Sequence, residues 1–177
     1  MKTITVPTYE QASPANQALM DNLRKALTFV PNLYATFTYS ETALGTYLTL
    51  QNAKSSLSGK AREVINLVVS QVNACRYCLA AHTMVGKMVG FTDEQVLEIR
   101  RGTAGFDARL DALARLVYSV TTERGHADKA VLQAFFDAGW NEGNLVDVML
   151  VIGDKTVSNY LHSTTEIPVD FPAAPEL

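Results

Sequence analysis

The sequence predicts an all-α fold, a single-domain bundle of about seven or eight helices, and three observations support this prediction. Apolar residues recur at intervals of three and four over most of the chain, as expected for helices with one buried face. Capping residues stand at the starts of these segments, and glycine or proline follows several of their ends. Beyond the first few residues, no stretch sustains the polar–apolar alternation of a half-buried strand.

Composition narrows the classes of protein to which the chain can belong. The 177 residues include 15 Lys and Arg against 18 Asp and Glu, a formal net charge of −3, and 47% are hydrophobic. These values suit one globular domain and exclude collagen-like, disordered and disulfide-rich chains. Without a cluster of basic residues, we expect no nucleic-acid partner and no anionic membrane partner. With no apolar signal segment and no apolar run near the roughly 20 residues of a membrane span, we expect a cytoplasmic protein.

The first three helices are predicted from their caps. Ser13-Pro14 supplies an N-cap and a proline at the first helical position, and Pro31 ends that segment. Ser40-Glu41 opens a second helix, and Ser58 caps a third. The apolar stripe of the third helix consists of Ala61, Val64, Ile65, Val68 and Val72.

The remaining helices are predicted in the same way. A fourth starts near Cys75 and ends at Gly90, and Thr92 begins a capping box for a short helix that stops at Gly102. Three more helices follow, from Asp107 to before Gly125, from about Asp128 to Ala138, and from Asn141 to about His162.

The segment from Cys75 to His82 carries the candidate chemistry. On a helix, Cys75 and Cys78 lie about 60° apart, and His82 falls between them in projection, one turn beyond Cys78. A helix start near Cys75 places that thiol in the first turn, where free N–H groups and the helix dipole favour the thiolate. His82 is placed to accept the proton of Cys78. We also expect Cys75 to be the more exposed thiol and Cys78 the deeper one.

Three interpretations of the cysteine pair remain open at this point. A redox-active pair is favoured, because a disulfide across so short a loop adds little stability and an imidazole lies in register with both thiols. A zinc site needs further ligands, and only Glu63, His126 or His162 is available to complete the set. The third interpretation is a pair of idle thiols.

Other polar and aromatic residues allow two interpretations. Glu63 shares a polar arc with Asn66, opposite the apolar stripe of its helix, and this arc either faces solvent or faces the thiols, where a carboxylate can orient His82. We interpret His126 and His162 as surface or helix-end residues. Tyr77, Trp140 and the methionines are interpreted as packing residues.

The sequence resembles the alkylhydroperoxidase D branch of the carboxymuconolactone decarboxylase family. The family's Glu…Cys-x-x-Cys-x-x-x-His pattern is matched by Glu63, Cys75, Cys78 and His82. The flanking Ser70-x-x-Asn73 and Gly90-Phe91-Thr92 are similar as well. The resemblance covers roughly residues 58–105 and, more loosely, extends to residue 160.

The resemblance implies an all-helical subunit that assembles into homo-trimers or homo-hexamers, and a thiol-dependent peroxidase without metal, haem or other cofactor. It assigns Cys78 as the peroxidatic thiol, Cys75 as its disulfide partner, and Glu63 and His82 as a proton relay. Alkylhydroperoxidase D has a second histidine directly before the second cysteine, where this sequence has Tyr77. That departure indicates a peroxidase-related cousin, and the resemblance therefore does not assign it the reductant and partner of alkylhydroperoxidase D.

The leading functional hypothesis is therefore a peroxidase that reduces hydrogen peroxide or alkyl hydroperoxides and is regenerated by an external dithiol or protein reductant. The alternatives are a general thiol–disulfide oxidoreductase, a lactone decarboxylase and a zinc-stabilised interaction module. We divide the chain into an N-terminal helical region packed on the core (1–57), an alkylhydroperoxidase D-like core (58–165) and an irregular C-terminal tail (166–177).

Overall fold

The computed structural model describes residues 3–177, and this part of the chain forms one all-helical domain with no strand. A 3-10 turn at Tyr9–Gln11 precedes the first α-helix. In chain order the helices are α1 (Pro14–Leu27), α2 (Asn32–Phe37), α3 (Ala43–Gln51), α4 (Gly59–Val72), α5 (Arg76–Met88), α6 (Asp93–Arg100), α7 (Ala108–Thr122), α8 (Lys129–Asp137) and α9 (Glu142–Thr165). The predicted all-α class is confirmed.

Helix α4 lies at the centre of the main core, packed against α5, α6, α7 and α9. It begins where predicted, with the Ser58 hydroxyl accepting a hydrogen bond from the N–H of Ala61 at 3.2 Å. Its fully buried apolar residues are Ala61, Val64, Ile65, Leu67, Val68 and Val69. Because neighbouring helices cover α4 on several sides, its polar residues Glu63, Asn66 and Ser70 are buried as well.

A second apolar cluster surrounds the start of α5. Its buried members include Met20, Leu33, Phe37, Leu44, Tyr47, Cys75, Tyr77, Cys78 and Ile167. Tyr77 connects the parts of this cluster: its hydroxyl accepts a hydrogen bond from the N–H of Leu33 at 3.2 Å, and its ring packs edge-on against Phe171. Both cysteines therefore lie where the N-terminal helices and the C-terminal tail meet α5.

The N-terminal region differs from the prediction in three respects. Helix α1 ends at Leu27, before Pro31, because Thr28 adopts the left-handed conformation with φ 72°. Residues 32–37 form α2, which the sequence does not predict because this six-residue helix has no side-chain cap and is stabilised by burial of residues such as Leu33 and Phe37. Helix α3 begins at Ala43, since residues 38–42 form turns and a bend.

The later helices begin at their predicted caps. Asp107, Asp128 and Asn141 each accept hydrogen bonds from the first turns of α7, α8 and α9. Thr92 and Gln95 form the predicted capping box. None of the helices in residues 3–177 combines the length and the apolar character needed to cross a membrane.

Candidate active site

The turn between α4 and α5 places the two cysteines at the start of a helix. Ala74 adopts φ 51°, a left-handed conformation that is uncommon for a residue with a side chain. The N–H of Cys75 then donates to the carbonyl of Ser70 at 2.9 Å. Cys75 is thereby the N-cap of α5, and its Sγ accepts a hydrogen bond from the N–H of Cys78 at 3.5 Å.

Cys75 faces His162 in the interior of the protein. The Nδ1 atom of His162 lies 3.7 Å from Cys75 Sγ, and its Nε2 atom lies 3.2 Å from the carbonyl oxygen of Ile167. A carbonyl only accepts hydrogen bonds, so Nε2 carries the proton and, in the neutral ring, Nδ1 presents an unprotonated nitrogen to Cys75 Sγ, able to take the Cys75 proton when that thiol no longer donates it to Cys78. The arrangement gives Cys75 a proton acceptor of its own.

Two sequence-based expectations are therefore wrong. His162 lies near the end of α9, as expected, but it is not at the surface, because the C-terminal tail covers this end of the helix and leaves the residue 6% exposed. Cys75 is not the more exposed thiol: it is 0% exposed, against 3% for Cys78. His162 follows Cys75 by 87 residues, and no local spacing signals this contact.

Cys78 is the thiol in which the thiolate is favoured. The hydrogen bond from the Cys75 thiol lowers the pKa of Cys78 to about 5, against the opposing effect of burial and with support from the charges of Lys155 and His82. The same hydrogen bond, together with burial, raises the pKa of Cys75. The start of α5 was expected to favour the thiolate of Cys75. The thiolate is instead favoured at Cys78, because Cys75 donates a hydrogen bond to it. Cys78 Sγ also lies 3.9 Å from the hydroxyl of Ser158.

Glu63 and His82 form a buried pair beside the thiols. Glu63 Oε2 lies 2.7 Å from His82 Nδ1, and its Oε1 accepts a hydrogen bond from the Asn66 amide at 2.8 Å. Burial alone raises the pKa of Glu63, but the charge and hydrogen bond of His82, with help from Asn66 and Lys155, hold this pKa below its ordinary value. The polar arc of α4 therefore faces the interior, and a carboxylate orients the imidazole there.

A cavity of about 360 Å³ adjoins Cys78, and this volume falls within the range of roughly 300–1,000 Å³ that is typical of small-molecule sites. Its aromatic lining consists of Phe29, Tyr34, Tyr47, Tyr77 and Phe171. The polar and thiol groups on its wall belong to Gln51, Cys78, His82, Lys155 and Ser158. Its outer edge includes the exposed apolar residues Leu27, Met84 and Met88, so the cavity opens to solvent through an apolar mouth.

The predicted site residues thus occupy a layered arrangement. Cys78 and His82 line the cavity, Glu63 lies behind His82, and Cys75 lies behind Cys78. His126 is exposed and takes no part in this site. Within residues 3–177, no three His, Cys, Asp or Glu side chains form a group that could hold a metal ion.

Helix α9 supplies three residues to this site, of which the sequence indicated only His162, and that one as a candidate zinc ligand. Lys155 and Ser158 line the cavity, and His162 contacts Cys75. Their spacing of three and four residues puts them on one face of α9, and this spacing is the only local signal that they share. The same spacing is found on the buried face of most helices, so it does not distinguish a site from a core.

The fold is shared with solved structures of peroxidase-related proteins. An uncharacterized peroxidase-related protein from Silicibacter sp. TM1040 is 22% identical, with a TM-score of 0.79 over 98% of this chain and 94% of that chain. An uncharacterized peroxidase-related protein from Ralstonia eutropha JMP134, described as an alkylhydroperoxidase AhpD core, is 17% identical, with a TM-score of 0.83 over 93% and 90%. These likenesses define an alkylhydroperoxidase D-like fold.

The same fold occurs in a debrominase. A cysteine-to-alanine variant of the debrominase Bmp8, solved in complex with 2,3,4-tribromopyrrole, is 14% identical, with a TM-score of 0.78 over 96% of this chain and 93% of that chain. No curated protein matches the chain by sequence.

The sequence model of the carboxymuconolactone decarboxylase family matches residues 40–117. This segment contains all four residues of the predicted pattern, Glu63, Cys75, Cys78 and His82. Together with the shared fold, the match shows that residues 40–117 resemble the carboxymuconolactone decarboxylase family and that the chain has an alkylhydroperoxidase D-like fold.

Proposed function

We propose that this chain is a cytoplasmic thiol-dependent peroxidase that reduces hydrogen peroxide or alkyl hydroperoxides with Cys75 and Cys78 as its dithiol. The observation that carries the proposal is the position of Cys78, whose thiol has a lowered pKa and lines a ligand-sized cavity beside His82. The thiolate is the form that attacks a peroxide, and the cytoplasm keeps such thiols reduced.

In the first step the Cys78 thiolate attacks the terminal oxygen of the hydroperoxide. The sulfur–oxygen bond forms and the O–O bond breaks, so that Cys78 becomes a sulfenic acid and the peroxide is reduced by two electrons. The departing alkoxide or hydroxide takes a proton from His82, which lies on the cavity wall. Glu63, at 2.7 Å from the ring, stabilises the protonated imidazole before that transfer.

In the second step Cys75 attacks the sulfur of the Cys78 sulfenic acid. The disulfide forms and the sulfur–oxygen bond breaks, and the departing hydroxide leaves as water. The proton of Cys75 passes to His162 Nδ1, at 3.7 Å, and is consumed overall in the formation of that water. His162 therefore accepts the proton of Cys75, and His82 supplies the proton needed when Cys78 reacts.

An external dithiol then returns the disulfide to the two thiols. A reductant that enters through the cavity reaches Cys78, because Cys78 lines this cavity and Cys75 does not. We therefore expect the mixed disulfide with the reductant on Cys78, with Cys75 as the leaving thiol. A Cys75→Ser variant should trap this adduct, and mass spectrometry locates it. An adduct found on Cys75 in the Cys78→Ser variant would show instead that the reductant attacks Cys75 and that Cys78 is the leaving thiol.

Peroxide consumption with a panel of dithiol reductants tests the proposal. The wild type should turn over many equivalents of peroxide, and Cys78→Ser should turn over none, because a serine hydroxyl is a far weaker nucleophile than a thiolate. Cys75→Ser is the matched control, since without added reductant it should consume one equivalent per chain and then stop at the sulfenic acid. Faster consumption of a protein disulfide than of any peroxide would instead identify a thiol–disulfide oxidoreductase.

Assembly into homo-trimers or homo-hexamers is part of the proposal. An exposed apolar row on α9 supports it, because large solvent-facing apolar patches are typical of protein interfaces. The row consists of Val146, Leu150, Val157 and Tyr160. Sedimentation of the wild type should give a mass that is a multiple of three chains, and replacing Leu150 with Glu should reduce it.

A further inference from the structure

Lys155 is a buried cation in the wall of the cavity. It is 2% exposed, and within residues 3–177 no carboxylate lies within ion-pair distance of its ammonium group. The Glu63 carboxylate already binds His82 and Asn66. Asp154, the preceding residue, is buried and acts on Tyr47 in the cavity wall, but it does not itself line the cavity and lies beyond ion-pair distance of Lys155. Because an unpaired buried charge is strongly unfavourable, this position calls for a negative partner that the folded chain does not supply by an ion pair.

The Cys78 thiolate is a negative partner for Lys155 only in the reduced state of the proposed cycle. In the reduced protein the charge of Lys155 acts on the thiolate and favours it. Once Cys78 is a sulfenic acid or part of a disulfide, that negative charge is gone. The remaining carboxylate on which the charge of Lys155 acts is Glu63, which is already bound by His82 and Asn66, so Lys155 is left beside the cavity with the neutral hydroxyl of Ser158.

The rest of the cavity is suited to an apolar molecule. Five aromatic rings line it, and its mouth is formed in part by exposed apolar side chains. A site with an apolar wall and a few polar groups binds the body of a ligand by burial and fixes its orientation by the polar contacts. Here the cationic polar contact is Lys155, and it lies on the same wall as Cys78.

We propose that the cavity binds organic acids with an apolar body, and that Lys155 pairs with their carboxylate. This inference deepens the proposed function and rests on it for the reacting group: the substrates are then organic hydroperoxides that carry a carboxylate, with the apolar part packed against the aromatic wall. Lys155 binds and orients the substrate, while Cys78 reacts with it.

Calorimetric titration of the oxidised protein with octanoate and with octanamide tests the inference. The two probes share their apolar chain and differ in charge, and the disulfide form lacks the competing Cys78 thiolate. Octanoate should bind at least about tenfold more tightly, because a hydrogen bond to a charged group contributes roughly 1.5–3 kcal/mol and each 1.4 kcal/mol is tenfold in affinity. The same comparison of 3-phenylpropionate with its amide tests an aromatic body.

A variant of Lys155 then tests whether this residue causes the preference for the acid over the amide. Lys155→Met has a side chain of similar length without charge, so it should bind the amide as the wild type does and lose the preference for the acid. Lys129→Met, on the exposed start of α8, should leave both affinities unchanged.

The inference is overturned if wild-type protein binds acid and amide equally, if neither binds, or if the preference survives in Lys155→Met. The comparison of the two wild-type affinities decides the question even if the variant does not fold. Binding is measured without peroxide, so an inactive protein that still prefers the acid would refute the proposed peroxidase and leave the organic-acid site standing.

Discussion

Removing the Cys75 thiol should raise the pKa of Cys78. The hydrogen bond from Cys75 is the largest contribution to the low pKa of the Cys78 thiol, which lies at about 5. Such a bond to a charged acceptor contributes roughly 1.5–3 kcal/mol. At about 1.36 kcal/mol for each pKa unit, the Cys75→Ala variant should have a Cys78 pKa between about 6 and 7.

The rate of alkylation by iodoacetamide as a function of pH measures this change. At about pH 6 the variant should react several times more slowly than the wild type, because less of its Cys78 is thiolate, and the two rates should converge well above pH 7. Arg76 lies between the two cysteines, so trypsin separates them onto different peptides and mass spectrometry follows Cys78 alone in the wild type.

Cys75→Ser is the matched control, because serine keeps both a donor hydroxyl and a good N-cap for α5. Its Cys78 pKa should lie between those of the wild type and Cys75→Ala. If the alkylation midpoint of Cys75→Ala stays within a few tenths of a pH unit of the wild type, the hydrogen bond does not stabilise the thiolate, and the charges of Lys155 and His82 account for it instead.

Three further predictions, one of them with a control variant, test other parts of the structure. Glu63→Gln removes the charge that orients His82 and should lower kcat/KM for peroxide by roughly 10²-fold; kinetics within twofold of wild type would remove Glu63 from the site. His162→Gln should lengthen the lifetime of the sulfenic acid, followed by dimedone labelling after one equivalent of peroxide, and an unchanged lifetime would leave the histidine a packing role only. Gly102→Ala should lower the free energy of unfolding in urea by roughly 2–4 kcal/mol, because its φ is 84° and the added Cβ would lie 2.8 Å from a tyrosine ring. Gly125→Ala, with φ 96° and no neighbour within 4 Å, should lose only roughly 1 kcal/mol, and equal losses in the two variants would refute the steric contribution.

The helical class and most helix starts are local properties, and the sequence predicts them well. A cap such as Ser58 or Asn141 forms its hydrogen bonds within three residues, so the pattern is complete in a short window of sequence. Helix α2 breaks this rule because it has no side-chain cap and depends on burial of residues such as Leu33 against distant segments. Its existence is decided by packing.

The candidate site also combines residues that the sequence predicts with residues that only tertiary packing brings together. Cys75, Cys78 and His82 lie within eight residues, and Glu63 stands at the spacing of a known family pattern, so the sequence by itself determined that these four residues are candidates for one site. It left open whether Glu63 faces solvent, because the periodicity of one helix does not reveal what covers its polar side.

Only the tertiary structure decided which proton acceptor and which charge each thiol meets. His162 reaches Cys75 from the end of α9, and Lys155 reaches the cavity beside Cys78 from the same helix. Both lie more than 70 residues along the chain from the thiols, and their spacing on α9 is that of any buried helical face. Local periodicity acts over a few residues, whereas the pKa of a buried thiol depends on every charge and hydrogen bond that folding brings within a few ångströms of it.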